Sequence, residues 1–446
     1  MIRIAVKKGY DVNITGLQSS VIQHLETPAF VAMLPENIPF IKPRLLVKAG
    51  DKVNIGSPLF EDKKTSYLKF MSPGGGVVHA VNLGPRRTIK EIVIKIDPKE
   101  NQEAFDPITE QDIDRISQND VIQALVHGGM WHFIKALPFG NTPDPSQRPP
   151  AIIVRMFNSE PFHPGPNQYL ADRFDLFEYG IKVLNKLSPD IVISVKDSYD
   201  FASNKLKMMA THEICGKYPA DHPGVLVYNT KKRQSENRTW FIHGENLLLV
   251  ADFLKNGKYP TERFFARSGR PDVESCYIRS RIGARISDIL GSVEDNKKRR
   301  YISGGVLTGY EVPADSFMGI YETSLTVFPK RDDNELFGFI RPGIKKPTYS
   351  RTFLSFFSIQ ALDMDACIHG EVRACINCGT CSTVCQVDIL PQFTYKAVLA
   401  DDIEEAVEHG LLDCVECGLC TYVCPSKIEL YETLKRAKYA YYNEQI

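Results

Sequence analysis

Two cysteine runs near the C-terminus constrain this chain more than anything else in it. They read Cys375-Ile-Asn-Cys378-Gly-Thr-Cys381-Ser-Thr-Val-Cys385 and Cys414-Val-Glu-Cys417-Gly-Leu-Cys420-Thr-Tyr-Val-Cys424, each C-x2-C-x2-C-x3-C. Three thiolates at this spacing lie on one tight loop and can bind three corners of a [4Fe–4S] cubane. The fourth cannot fold back to the same cube and ligates the other one. The spacing therefore assigns Cys375, Cys378, Cys381 and Cys424 to a first cluster, and Cys414, Cys417, Cys420 and Cys385 to a second. Zinc sites usually pair two C-x2-C knuckles across a longer gap. A disulfide framework suits a small secreted domain, not a chain of 446 residues. Pro425 follows the second run but Gln386 follows the first, a difference that removes no ligand.

Between the runs, Phe393, Ala397, Val398, Ile403, Ala406 and Val407 recur at helical spacing, with Gly410 as a stop. A last helix is expected from about Ile428 to Tyr442, after Pro425. A helical insert of this kind resembles the all-helical ferredoxin type, and we expect that fold for residues 346–446.

Lys plus Arg and Asp plus Glu both number 54, so the formal net charge is zero. Nucleic-acid binders usually carry a basic excess, and no nucleic-acid partner is expected. No apolar run reaches the roughly 18 residues of a membrane span. The opening Met1-Ile-Arg-Ile-Ala-Val-Lys-Lys lacks the apolar core of a signal peptide. The expectation is a soluble cytoplasmic chain that meets a membrane only through partners, and a reducing compartment suits thiolate ligands.

The remaining chain reads as a multidomain α+β protein. Residues 1–100 carry short alternating stretches between Gly and Pro turns. Val47 to Leu59, followed by Ser72-Pro-Gly-Gly-Gly-Val-Val, resembles a barrel-sandwich hybrid of the biotinyl/lipoyl type. Lys63 and Lys64 stand near the place of a carrier lysine and read as a solvated turn. The glycines 74–76 lead into a strand, not a helix, which excludes a dinucleotide fingerprint there. Residues 101–150 are expected to be a helical segment, capped at Ser117 or Asn119, and a Pro-rich linker. Residues 151–260 alternate strand and helix, which implies a Rossmann-like α/β domain. Its expected strands are Ala151–Arg155, Asp190–Val195 and Gly224–Tyr228. Ligands of such sheets bind beyond the carboxyl ends of strands. These ends carry Asn158 and Glu160, and the neighbourhood of Asn229. No glycine-rich loop opens a helix there, so FMN is not expected. Residues 261–345 return to short strands and fit a β-grasp unit. Cys215, Cys276 and Cys367 read as ordinary packed thiols.

These residues together carry a resemblance to the NqrA family, which belongs to the sodium-translocating NADH:quinone reductase. It rests on Val6 to Asp11, Phe60 to Lys64, Gly129-Met-Trp131 with Pro138-Phe139, His222-Pro-Gly224, Ile302 to Gly309, and Glu335 to Phe339 through Ser350 to Leu354. The resemblance implies a peripheral subunit on the cytoplasmic face of the bacterial inner membrane. Its partners would be integral-membrane and flavin-bearing subunits that reduce quinone and export sodium. It also implies an SLBB-like β-grasp domain, and a quinone or flavin side on which Asn158, Glu160 and His222 are the candidate residues. Usual members of that family keep only a remnant of the second cysteine run. Here both runs are intact, and the C-terminus is similar to the C subunit of the related Rnf complex. That leaves two alternatives beside an accessory electron carrier: an Rnf C-like module exchanging electrons with NADH and ferredoxin, and a metal-stabilised docking subunit without catalysis.

Overall fold

The computed structural model describes all residues except 17–20, 198, 202–203, 270–272, 292–298, 331–341, 351–352, 359, 365–366, 369 and 446. The stretch 335–339 and two residues of 350–354 therefore lie outside the described residues.

Two small antiparallel sheets build the N-terminal barrel. One has the order Phe30–Met33, Ile89–Ile96, Gly76–Leu83, Lys52–Val53; the other is Pro43–Leu45, Pro58–Asp62, Lys69–Met71. Alternation puts Val31, Leu59, Phe60, Phe70, Ile92 and Ile94 fully inside. Phe60 and Phe70 stack with centroids 4.7 Å apart. A Cβ on Gly76 would sit 2.0 Å from the Lys95 carbonyl, so close backbone packing accounts for the last of the three glycines. Lys63 and Lys64 are exposed, while Glu61 and Asp62 are buried and bonded locally.

Two short strands near the start of the chain pair outside the barrel sheets. Ile2–Ala5 pairs in parallel with His212–Cys215, and Ile22–His24 pairs in parallel with Cys276–Arg281. Local periodicity carries no signal for such long-range pairing. The chain thus stitches three units together before it forms the barrel.

The central sheet has six strands in the order Ile2–Ala5, His212–Cys215, Ile191–Lys196, Ile152–Arg155, Trp240–His243, Lys135–Ala136. The first five are parallel and the last is antiparallel. Helices Phe174–Leu187 and Gly244–Asn256 pack on it. Gly257, at φ 62°, ends the second one with a left-handed cap. Gly224–Tyr228, expected as a strand, is instead part of helix Pro223–Thr230. Pro223 at the first turn and the His222 side chain accepting from Gly224 N–H at 3.0 Å start this helix and override the β-branched composition. The helical segment of 101–150 is restricted to Gln118–His127, capped by Ser117.

A fourth sheet, six-stranded and mixed, runs Tyr310–Val312, Arg299–Ser303, Ser324–Pro329, Glu262–Gly269, Cys276–Arg281, Ile22–His24. The C-terminal region is helical: Thr380–Val384, Pro391–Leu399, Ile403–Glu408, Leu419–Tyr422 and Leu430–Gln445. Ala397, Ala406, Leu411, Leu434 and Ala437 form its core, and Val225 of the α/β unit is part of the same cluster. Among the described residues no helix is long and apolar enough to cross a membrane.

Candidate iron–sulfur centre and the cavity beside it

The two cysteine runs repeat one backbone design. Asn377 and Glu416, the residues just before the second cysteines, have φ of 56° and 54°. Gly379 and Gly418, just after them, have φ of 71° and 76°, and Asp388 and Lys427, three residues past the fourth cysteines, have φ of 53° and 59°. Left-handed residues interleaved with right-handed ones turn successive N–H groups to one side and make a concavity that suits an anion. The backbone N–H groups of Thr380, Val387, Glu416 and Leu419 donate to the sulfurs of Cys378, Cys385, Cys414 and Cys417. Hydrogen bonds of this kind stabilise negative charge on sulfur and tune cluster potentials.

The thiols also cross over between the runs. Cys375, Cys381, Cys420 and Cys424, drawn from both runs, pack together around Ile428 and Leu430. Cys385 lies close enough to Cys414, Cys417 and Cys420 to act on all three electrostatically. Burial pushes the Cys414 thiol up to about 11, with Lys438 opposing, and raises Cys417 and Cys420 as well. Buried sulfurs of this kind hold negative charge only against a bound cation. Among the described residues no three His, Cys, Asp or Glu side chains converge as a single metal ion would need. A cubane asks for something different, since each thiolate binds its own iron. The cysteine donor set fits iron–sulfur clusters of this kind. Cys378 is exposed, whereas Cys381 is buried.

Gln386, which stands where the other run has Pro425, anchors this centre. Its side-chain amide donates to the carbonyls of Lys8 at 2.7 Å and Lys217 at 2.9 Å. Lys8 in turn reaches Asp388 at 2.6 Å and the Ser382 carbonyl at 3.3 Å. Tyr218 donates to the Cys417 carbonyl at 2.8 Å, and Lys438, nearly fully buried, donates to the Cys414 carbonyl at 2.7 Å and pairs with Glu416 at 3.1 Å. A Cβ on Gly224 would lie 2.7 Å from Val415 Cγ1, so the His-Pro-Gly turn can touch the second run only with glycine there.

A cavity of about 1160 Å³ opens at this junction. Cys414, Val415, Glu416 and Cys417 form one wall, and Asn158, Glu160, Tyr218 and His222 another. The three candidates expected on the flavin or quinone side are thus brought together beside the second cysteine run, but each already has a partner. Asn158 Oδ1 accepts from Arg155 at 3.0 Å and from Glu160 N–H at 3.2 Å. Arg155 forms a buried pair with Asp221. His222 Nδ1 caps a helix, and burial and the nearby Arg155 lower its pKa to about 3, so it stays neutral. Glu160 accepts from the N–H groups of Leu307 and Thr308 at 2.6 and 2.9 Å and from the Thr308 hydroxyl at 2.8 Å. Burial raises its pKa, but the nearby His163, with its Nε2 3.8 Å away, and these donors outweigh that and hold the carboxyl below its ordinary range. Glu160 is therefore a latch on the loop of residues 304–309, and the Leu307 carbonyl of that loop sits against Gly418. Trp131 is buried and bonded to the Pro143 carbonyl at 2.8 Å, while Phe139 lines the cavity. Tyr218, Tyr431 and Lys438 also line it, and no motif in the sequence marks them.

Two cysteine runs on a helical scaffold are the mark of an iron–sulfur protein, and a 4Fe-4S dicluster domain model matches residues 374–428. The NqrA N-terminal barrel-sandwich hybrid domain matches residues 4–97, and the NqrA second alpha/beta domain matches residues 116–259. The NqrA subunit of the Na(+)-translocating NADH-quinone reductase from Rhodopirellula baltica is 31% identical over 407 residues, 90% of this chain and 89% of the relative. The corresponding subunits from Yersinia pestis and Klebsiella pneumoniae are 29% and 30% identical, each over 90% of both chains. The chain belongs to the NqrA family. Among solved structures, the NAD+-reducing [NiFe]-hydrogenase in the H2-reduced state aligns over 78% of this chain and 67% of that one, at 12% identity and a TM-score of 0.38.

Proposed function

We propose that this chain is the peripheral, electron-carrying subunit of a sodium-translocating NADH:quinone oxidoreductase-type complex, held at the cytoplasmic face of a bacterial inner membrane by integral-membrane and flavin-bearing partners. In this reading Cys375, Cys378, Cys381 and Cys424 hold one [4Fe–4S] cluster, and Cys414, Cys417, Cys420 and Cys385 hold the second. Bound clusters supply one-electron storage and transfer. Sodium export falls to the partners. The six-stranded mixed sheet is read as the SLBB-like β-grasp unit of the family, and the helical C-terminus as its ferredoxin domain.

The observation that carries this reading is the shared wall between the second cysteine run and the α/β unit. A ligand in that cavity touches protein on both sides and lies against Cys414 and Cys417. The space, about 1160 Å³, exceeds the roughly 300–1,000 Å³ usual for small-molecule sites. Phe40, Phe139, Tyr228, Phe241 and Tyr431 line it, which suits the flat ring of a quinone. FMN is not expected, because no glycine-rich phosphate loop opens a helix there.

What this chain's residues do is hold and orient. Tyr218 and Lys438 fix the carbonyls of Cys417 and Cys414. Glu160 fixes the loop that covers Gly418. Neutral His222 keeps the helix start against Val415. The test is purification of the tagged chain from native membranes, followed by photolabelling with an azido-quinone. We expect co-purification with membrane subunits and label on peptides around 218–222 and 414–417. A chain that never associates with integral-membrane partners contradicts the reading.

A further inference from the structure

The two cysteine runs differ in what surrounds them. The second faces the internal cavity, and Cys414 and Cys417 are half-buried. The first reaches the surface. Cys378 is exposed, and Val372 and Ile376 beside it are 61% and 69% exposed. Ile344, on the neighbouring loop, is 62% exposed.

Three cations gather at this edge. Lys427 lies within electrostatic reach of Lys346, Arg373 and Cys424. Arg373 is fixed there by two bonds: its N–H donates to the Ser426 carbonyl at 2.9 Å, and its guanidinium donates to the Pro425 carbonyl at 2.9 Å. Lys346 is held over the Phe353 ring at 4.7 Å. Mutual repulsion opposes this arrangement, and among the described residues no carboxylate pairs with any of the three. Glu371 and Glu429 are exposed nearby in sequence. The whole chain is electrically balanced, with 54 basic and 54 acidic side chains, so this concentration is local.

We propose that the face formed by Lys346, Arg373 and Lys427 around the exposed Cys378 docks a small acidic one-electron carrier protein. This rests on the reading that the first run holds a cluster. The patch is charged and loop-borne, with single exposed apolar side chains among the cations. That is the character of transient redox encounters, whereas permanent interfaces between subunits are larger and more apolar. Complementary charge sets orientation and association rate in such encounters and weakens with salt.

The test uses the full chain purified anaerobically, with a small acidic ferredoxin as the probe, and reads binding by calorimetry alongside iron content. We expect a dissociation constant that rises steeply with salt. It should rise at least tenfold further in Lys346→Gln/Lys427→Gln, which keeps the Arg373 bonds, with iron content unchanged. Full iron content together with binding that ignores both salt and this variant overturns the docking face alone. Equal binding of a basic cytochrome, or binding of anionic vesicles but not of ferredoxin, overturns it as well. A chain without iron overturns the reading on which it rests.

Discussion

The side-chain amide of Gln386 donates to the backbone carbonyl of Lys8 at 2.7 Å, joining residues 378 positions apart. The same amide reaches Lys217 at 2.9 Å. A residue that breaks the symmetry of the cysteine runs is thus what ties the first run to the α/β unit. Each net hydrogen bond is worth about 1 kcal/mol, and carbonyls left buried cost more. Gln386→Ala should therefore destabilise the C-terminal region by about 2 kcal/mol, without removing a sulfur ligand. Denaturant unfolding, followed by the visible absorbance of the centre, measures this. An unchanged midpoint would leave the staple without energetic weight.

Glu160 gives a second prediction. Its carboxylate accepts three hydrogen bonds from Leu307 and Thr308. Glu160→Gln turns one oxygen into a donor that faces other donors, at a cost of about 2–3 kcal/mol. The folded pKa is lowered, so the folded state binds fewer protons than the unfolded chain. The stabilisation is complete above the unfolded value of about 4.3 and is lost as pH falls through the lower folded value. Unfolding free energies measured from pH 7 downward should show an acid-dependent loss in the native chain, with this component missing in the variant.

His222 titrates with its own sign. Its folded pKa lies at about 3, so its imidazole is neutral in the fold and charges more readily when unfolded. Stability is present above the unfolded value of about 6.5 and declines below it, by about 1.4 kcal/mol per pH unit for one such group. His222→Asn keeps an acceptor for the Gly224 N–H and removes the titration. The variant should match the native chain at pH 7.5 within about 1 kcal/mol and fall less steeply toward pH 5. An equal loss of unfolding free energy between pH 7.5 and 5 in the variant and the native chain, measured by denaturant titration, would show that His222 does not contribute.

The helical C-terminus and its dicluster pattern were legible because their signal is local. A spacing of two and three residues fixes loop geometry, and the left-handed pairs Asn377/Gly379 and Glu416/Gly418 are the conformational form of that spacing. The barrel and the Ser117 cap were legible for the same reason. What escaped is long-range. Ile2–Ala5 and Ile22–His24 pair with strands some 200 residues or more away. Val225 to Tyr228 has the composition of a strand, yet a proline and a histidine cap start a helix there. Strand ends and a family motif bring Asn158, Glu160 and His222 near one another. Their engagement with Arg155, the 304–309 loop and Gly224 could not be read from spacing.

The central claim is that both runs carry clusters. Iron, acid-labile sulfide and EPR on the anaerobically purified chain test it most directly. The account predicts about eight irons and eight sulfides per chain, with signals of two coupled reduced clusters, falling to about four irons in Cys417→Ala. Stoichiometric zinc, or no metal and no sulfide, would contradict it and leave the runs as structural loops.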